Sequence, residues 1–258
     1  MALDAVDTIK STFGSLKTDA GKKVLGLIFV LQLVNMGGTY LSTMGTAMMF
    51  VSAFLSLGVA AAMLLVTVGV FRSFDSGELT SDQYTSNVLW PLVRITGANA
   101  VTTIFAYGLA LVALLPAVLV SVLAGAGVSS LGAGAAAGGS IVGAVLGIAG
   151  LVLAIAAFFY IFLMLTVSVP MISVDDNRVF QALDRSVQRT KGAKVSMFLA
   201  ALPIGLLYLV GFGLVIAMTG TATTTVSPGV AVLTSVVTAL TATLFFSLLN
   251  EYHQRLPE

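Results

Sequence analysis

The sequence predicts an all-α, polytopic membrane protein with six transmembrane helices in three hairpins, each hairpin preceded by a short cytoplasmic interfacial helix. Two observations lead to this fold class. Of the 258 residues, 58% are apolar and only 9% are charged, whereas soluble domains carry roughly 25% charged residues. All charged residues also fall in four segments, namely 1–23, 72–94, 175–194 and 251–258.

The uncharged blocks between these segments each have room for two membrane spans. The blocks are 24–71, 95–174 and 195–250, and a spanning helix needs about 20 apolar residues. We place the spans at residues 24–43, 47–71, 97–123, 141–169, 196–218 and 229–249. The middle block could also hold three shorter spans. Residues 124–139 consist almost entirely of Ala, Gly and Ser, however, which is typical of an outer loop.

The distribution of charge predicts the topology. An even number of spans in each block returns every charged segment to the same side of the membrane, together with all 12 Lys and Arg residues. The positive-inside rule identifies that side as the cytoplasm. We therefore predict a multi-pass protein of the cell (plasma) membrane with both termini cytoplasmic. It forms a single transmembrane domain over 1–258, with hairpin units of about 1–71, 72–170 and 171–258.

Each hairpin is preceded by a segment with the pattern of an interfacial helix. Residues 2–17 place four apolar side chains on one helical face, Val6, Ile9, Phe13 and Leu16. The spacing of Thr80 and Gln83 is that of a capping box and predicts a second short helix. Residues 178–194 predict the third. A glycine follows each of these segments in a weak internal repeat, at Gly21, Gly97 and Gly192.

The third interfacial segment is basic and is the candidate lipid-binding element. Its positive side chains are Arg178, Arg185, Arg189, Lys191 and Lys194. An apolar stripe is expected to dip into the interface, formed by Val179, Leu183 and Val187. Each basic side chain near an anionic leaflet contributes about 1 kcal/mol. We predict that this helix binds anionic lipid headgroups, with generic anchoring by positive charge as the alternative.

Polar residues within the spans are few. Gln32 and Asn35 are three residues apart and share a helical face. Together with Asn99 and Tyr107 they are a candidate polar lining for a neutral or amphiphilic solute, while an interhelical hydrogen bond is the alternative for the first pair. Close helix packing, within the bundle or at a dimer face, is predicted by three glycines at four-residue steps, Gly139, Gly143 and Gly147.

The chemistry of most enzymes and coupled transporters is missing. No ionisable residue falls within a predicted span, whereas proton relays and most ion-coupled carriers need one at membrane depth. Cysteine is absent, and the single histidine, His253, is interpreted as a solvated tail residue without a partner for a catalytic triad. We therefore predict no enzyme activity, no catalytic residues, no metal site and no cofactor.

One stretch resembles a known family. It contains Pro170-Met171-Ile172, Asp175-Asp176, Ala182-Leu183-Asp184-Arg185-Ser186 and Thr190-Lys191-Gly192. This pattern resembles an uncharacterised six-span integral membrane family, which is similar to the membrane domain that precedes the catalytic domain of some bacterial glycerophosphodiester phosphodiesterases. The resemblance implies a six-helix membrane domain. It does not imply phosphodiesterase activity, because that catalytic domain is absent, and this chain has Asp where the family often has Glu.

These features together predict a non-catalytic integral membrane protein that acts as a lipid- or partner-binding scaffold. Expected partners are membrane lipids, anionic ones among them, and a second copy of the chain or another membrane protein; no nucleic acid is expected, since the net charge is only +1. A permease or channel for a neutral or amphiphilic solute is the alternative function. An intramembrane lipid-modifying enzyme is the least favoured, because acid–base groups are missing from the spans.

Overall fold

Long helices separated by short turns account for nearly all of the structure. The computed structural model describes residues 4–78, 80–128, 165–219 and 227–256. In those ranges every regular element is an α-helix, which confirms the all-α class. The helices are α1 Ala5–Ser15, α2 Asp19–Ser42, α3 Thr46–Ser76, α4 Ser81–Thr85, α5 Leu89–Val128, α6 Ser168–Ser173, α7 Val179–Thr190, α8 Lys194–Thr219 and α9 Pro228–Arg255.

Four of the described helices, α2, α3, α8 and α9, are long and apolar enough to cross a membrane. They contain the predicted spans 24–43, 47–71, 196–218 and 229–249 to within one residue, which supports a multi-pass membrane protein. The predicted span 97–123 falls inside the 40-residue helix α5. Most of the predicted span 141–169 lies outside the described residues. Six spans in three hairpins therefore remain a prediction.

The chain divides into two compact units. Unit 1 comprises residues 1–96 and 167–258, and unit 2 comprises residues 97–166. Unit 1 contains the four membrane-capable helices and all four charged segments. The described part of unit 2 consists of the portion of α5 that follows residue 96 and of residues 165 and 166. The single domain expected from the sequence remains a prediction, and the site described below lies entirely within unit 1.

The centre of unit 1 is formed by three of its helices. Val24 and Ile28 of α2, Val66 and Val70 of α3, and Ala239 of α9 are buried against one another. α9 also packs along α8 and α2. Because these side chains are branched or small, the helices approach one another closely and pack without polar groups. Close packing of this kind is expected in a membrane, where lipid supplies no hydrophobic driving force between helices.

Helix α1, the first predicted interfacial helix, packs through its threonine side. In α1 the buried residues are Thr8 and Thr12, which face α8 and α9, and Ser247 of α9 donates a hydrogen bond to the carbonyl of Thr12 at 3.5 Å. Val6, on the predicted apolar face, is 58% exposed, and Phe13 is exposed as well. The other two residues of this face, Ile9 and Leu16, are partly buried, so the protein leaves the face only partly uncovered.

The second interfacial helix begins where the capping-box spacing places it. α4 starts at Ser81, immediately after Thr80, and the Thr80 backbone N–H donates to Gln83 Oε1 at 3.3 Å. The same Gln83 side chain accepts a hydrogen bond from Ser73 of α3 at 2.7 Å. The cap therefore also attaches α4 to the end of a membrane-capable helix.

Candidate functional site

The four charged segments meet at one end of unit 1. We call the cluster of their contacting side chains the polar cap. Its side chains join residues that are far apart in sequence: Ser11 with Glu251, Arg72 with Ser173, Arg94 with Asp176, and His253 with Asp175. Charged groups at the ends of apolar helices lose water when they pack, so mutual pairing is the arrangement that stabilises them.

The turn between α6 and α7 is the centre of the polar cap. Asp176 adopts a left-handed backbone conformation, with φ of 55°, and its carboxylate pairs with Arg94 Nη1 at 2.5 Å. The next residue, Asn177, is buried, and its side-chain amide donates to the carbonyl of Met171 at 3.4 Å. Arg185 of α7 donates to Asn177 Oδ1 at 3.0 Å. The turn is therefore held from both sides by guanidinium groups.

Arg72, near the end of α3, donates hydrogen bonds to three backbone carbonyls in two other segments. Its Nε donates to the carbonyl of Ser173 at 3.1 Å. Its Nη1 donates to the carbonyls of Gln83 and Ser86, at 3.3 and 2.7 Å. These carbonyls belong to the ends of α6 and α4, where helices leave acceptors unpaired. One planar guanidinium thus satisfies acceptors that an ammonium group cannot reach together.

The prediction that His253 is a solvated tail residue is wrong. α9 remains helical as far as Arg255, so His253 lies in its last turn, and its side chain is only 9% exposed. Nε2 is 3.6 Å from Asp175 Oδ1, while Nδ1 is buried without a hydrogen-bond partner among the described residues. His253 lies beyond residue 249, where the predicted span ends.

The surroundings of His253 favour the neutral imidazole. Burial lowers its pKa below the ordinary value of 6.5, and this effect outweighs the opposing influence of the Asp175 carboxylate. Arg189 lowers the pKa further and Asp75 raises it. The neutral ring with its proton on Nε2 fits the contacts, because that proton points to Asp175 while Nδ1 has no acceptor to donate to.

The apolar stripe predicted to dip into the interface from α7 is only partly available. Leu183 is 7% exposed, and Ala182, Ser186 and Thr190 are fully buried on the same side of the helix. The expectation is therefore wrong for Leu183, which packs inside the protein instead of facing lipid. Phe180, which is not part of this buried side of α7, is 78% exposed.

The candidate headgroup-binding residues have different environments. Arg178, Arg185 and Lys191 are exposed, whereas Arg189 and Lys194 are partly buried. Arg189 lies close enough to His253 to influence its titration, so it belongs to the polar cap rather than to the outer surface. Arg185 is bonded to a neutral amide, which leaves its charge uncompensated. The sequence placed these five residues in one group, and the structure separates them into two.

The residues predicted to line a polar path belong to two different units. Gln32 and Asn35 are partly buried on α2 in unit 1. Asn99 and Tyr107 are exposed on the part of α5 that belongs to unit 2. The three packing glycines, Gly139, Gly143 and Gly147, lie outside the described residues.

Sequence reasoning missed Arg72, Asn177 and His253 as parts of the site. One signal for His253 was present: Leu248, Tyr252 and Leu256 recur at four-residue steps, and all three are buried. That spacing indicates a helix with an inward face continuing through the tail. The hydroxyl of Tyr252 donates to the carbonyl of Met197 at 2.5 Å, so this last turn is attached to α8 as well.

No group of three or more His, Asp or Glu side chains within the described ranges is arranged to bind a metal ion.

Comparison of the chain with protein-family models, with curated proteins and with solved structures gives no match. The arrangement that these residues can support is electrostatic: guanidinium, carboxylate and imidazole groups that hold helix ends together and present positive charge on the exposed side of α7.

Proposed function

We propose that this chain is a non-catalytic, lipid-binding scaffold of the cell membrane, with its polar cap and both termini on the cytoplasmic side. In this proposal the exposed side of α7 binds the anionic headgroups of the inner leaflet. The segregation of all charge into segments that contact one another supports the sidedness, because helices that cross an even number of times bring their ends together.

The proposal rests mainly on the fact that α7 has one buried side and one exposed, positively charged side. Its inner side is buried, so the helix has a fixed orientation on the protein. Its outer side presents Arg178, Arg185 and Lys191, and neither Arg178 nor Lys191 forms an ion pair within the described residues. Unpaired positive charge held in a fixed direction is the property that attracts anionic lipid.

An exposed apolar flank of α7 adds to the proposal. Phe180 is 78% exposed and shares this flank with the exposed Val187, seven residues further on. Large apolar side chains beside basic residues are typical of helices that lie in a membrane interface, where the ring enters the headgroup region and the charges remain hydrated. Asp184 is the one acidic residue of α7, and it accepts a hydrogen bond from Gln188 at 2.8 Å.

Removing the exposed positive charges should weaken binding of anionic lipid. In the variant Arg178→Gln/Arg185→Gln/Lys191→Gln, each lost charge is worth about 1 kcal/mol, so retention of phosphatidylglycerol should fall on the order of 100-fold. Arg189 is kept because it acts on His253, and Gln at position 185 still has an N–H group that can donate to Asn177 Oδ1. Lipid that remains bound after purification in mild detergent is quantified by mass spectrometry, against phosphatidylcholine as the zwitterionic reference.

The matched control removes three lysines from elsewhere on the same face of the protein. Lys10→Gln/Lys17→Gln/Lys22→Gln changes the net charge equally, and two of these lysines are exposed partners of Asp7 and Asp19. This control should retain phosphatidylglycerol within about threefold of the wild type. Equal losses in both variants would refute a lipid site on α7 and leave only the effect of total charge.

A further inference from the structure

His253 is a largely covered ionisable group that the proposed lipid surface does not use. It connects the last turn of α9 to the turn between α6 and α7, through the contact of Nε2 with Asp175 at 3.6 Å. The same turn carries Asp176 and Asn177, which bind Arg94 and Arg185. The position of this turn, which precedes α7, therefore depends on a contact that one proton can change.

Charged groups from three other elements act on this imidazole. Asp175 belongs to the α6–α7 turn, Arg189 to α7 and Asp75 to the end of α3. Within α9 itself, Glu251 and Arg255 pair with each other at 2.7 Å, and Glu251 also accepts a hydrogen bond from Ser11. The carboxylates favour a protonated ring and Arg189 opposes it.

The buried Nδ1 atom decides which protonation state fits the closed contact. A second proton would have to be placed on Nδ1, which has no hydrogen-bond partner within the described residues. A buried N–H donor without an acceptor is destabilising, and so is a positive charge in a ring that is nine-tenths covered. The neutral ring fits the cavity that contains it, and the protonated ring does not.

We infer that His253 is a proton-operated latch, which holds the α6–α7 turn against the end of α9 while neutral and releases it on mild acidification. The ligand is a proton, and the moving part is the turn around Asp175 with the start of α7. This inference goes beyond lipid binding and does not depend on it, because the latch acts between elements of the protein itself.

The pH window follows from the direction of the pKa shift. His253 has an ordinary pKa near 6.5 when the turn is open and a lower pKa when it is closed. At a pH between these two pKa values, the closed form therefore binds fewer protons than the open form. The latch is fully engaged above pH 6.5, and it loses stability as the pH falls toward the lower value.

The latch can be followed directly, because His253 is the only histidine in the chain. A protein labelled with isotopes in histidine alone gives one imidazole signal by NMR in detergent micelles. Its titration midpoint should lie below 6.5, Asp175→Asn should lower it further, and Arg189→Gln should raise it. A midpoint at or above 6.5 in the wild type would overturn the proposal.

Opening of the turn is measured by hydrogen exchange. The amides of Asp175 and Asn177 donate to the carbonyl of Met171 at 3.2 and 3.4 Å and are protected while the turn is closed. After correction for intrinsic rates, their protection should fall by up to about tenfold per pH unit below 6.5. In His253→Gln and His253→Asn the protection should not depend on pH. The latch would be contradicted if these variants lost protection with the same pH dependence as the wild type. It would also be contradicted if protection in the wild type did not change with pH.

Discussion

The variant Gly21→Ala is expected to lose about 3 kcal/mol of its free energy of unfolding, because the added methyl group has no space at the junction of α1 and α2. A Cβ atom on residue 21 would lie 2.0 Å from the carbonyl oxygen of Ser15 and 2.8 Å from its carbonyl carbon. Both are backbone atoms, so relief requires a shift of α1. That shift also weakens the N-cap, in which Gly21 N donates to Thr18 Oγ1 at 3.0 Å.

The same substitution elsewhere in α2 is the matched control. Gly26 has no atom within 4 Å of its would-be Cβ, and alanine favours helix over glycine. Gly26→Ala should therefore be neutral or slightly stabilising. Unfolding of both variants is followed by circular dichroism in mixed micelles with increasing SDS. If Gly21→Ala unfolded at the same SDS fraction as Gly26→Ala, the close contact between residue 21 and the end of α1 would be contradicted.

Replacing Arg72 with Ala should also cost about 3 kcal/mol, since three backbone carbonyls lose a charged donor at once. Arg72→Lys should recover less than half of that loss. An ammonium group donates from a single point and cannot reach the ends of α4 and α6 together. The free energy of unfolding is measured as for Gly21, and hydrogen exchange should show the largest loss of protection in α4 and α6.

An exposed cation provides the comparison for Arg72. Lys22 lies 3.8 Å from Asp19 and is about two-thirds exposed, so Lys22→Gln should change the free energy of unfolding by less than about 0.5 kcal/mol. A loss of similar size in Lys22→Gln and Arg72→Ala would mean that total charge stabilises the protein. The proposed role of Arg72 in joining helix ends would then be wrong.

The membrane helices could be predicted because hydrophobicity acts residue by residue. Uncharged blocks of known length determine where spans fit, and α2, α3, α8 and α9 follow those positions. The start of α4 was also predictable, since a cap involves residues three apart in the chain. In each case the interactions that determine the structure are local in sequence.

The polar cap could not be predicted in the same way, because its contacts join distant segments. His253 and Asp175 are 78 residues apart, and no local pattern specifies that pairing. The apolar side of α7 was interpreted as a membrane-facing stripe, although Leu183 packs inside the protein. An amphipathic sequence pattern indicates that a helix has an apolar face, but it does not indicate whether protein or lipid covers that face.

The sidedness of the charged segments is the claim on which the proposed function rests, and cysteine labelling tests it most directly. The chain has no native cysteine. Single cysteines are introduced at Ser76 and Gln188, which are exposed in the polar end of unit 1, and at Ser129 and Thr223, in the predicted outer loops.

An impermeant thiol reagent applied to intact cells should label positions 129 and 223 and leave positions 76 and 188 unmodified. After the membrane is permeabilised, positions 76 and 188 should react as well. Labelling of position 188 in intact cells, or protection of position 129, would place charged segments on both sides of the membrane and contradict the proposed topology.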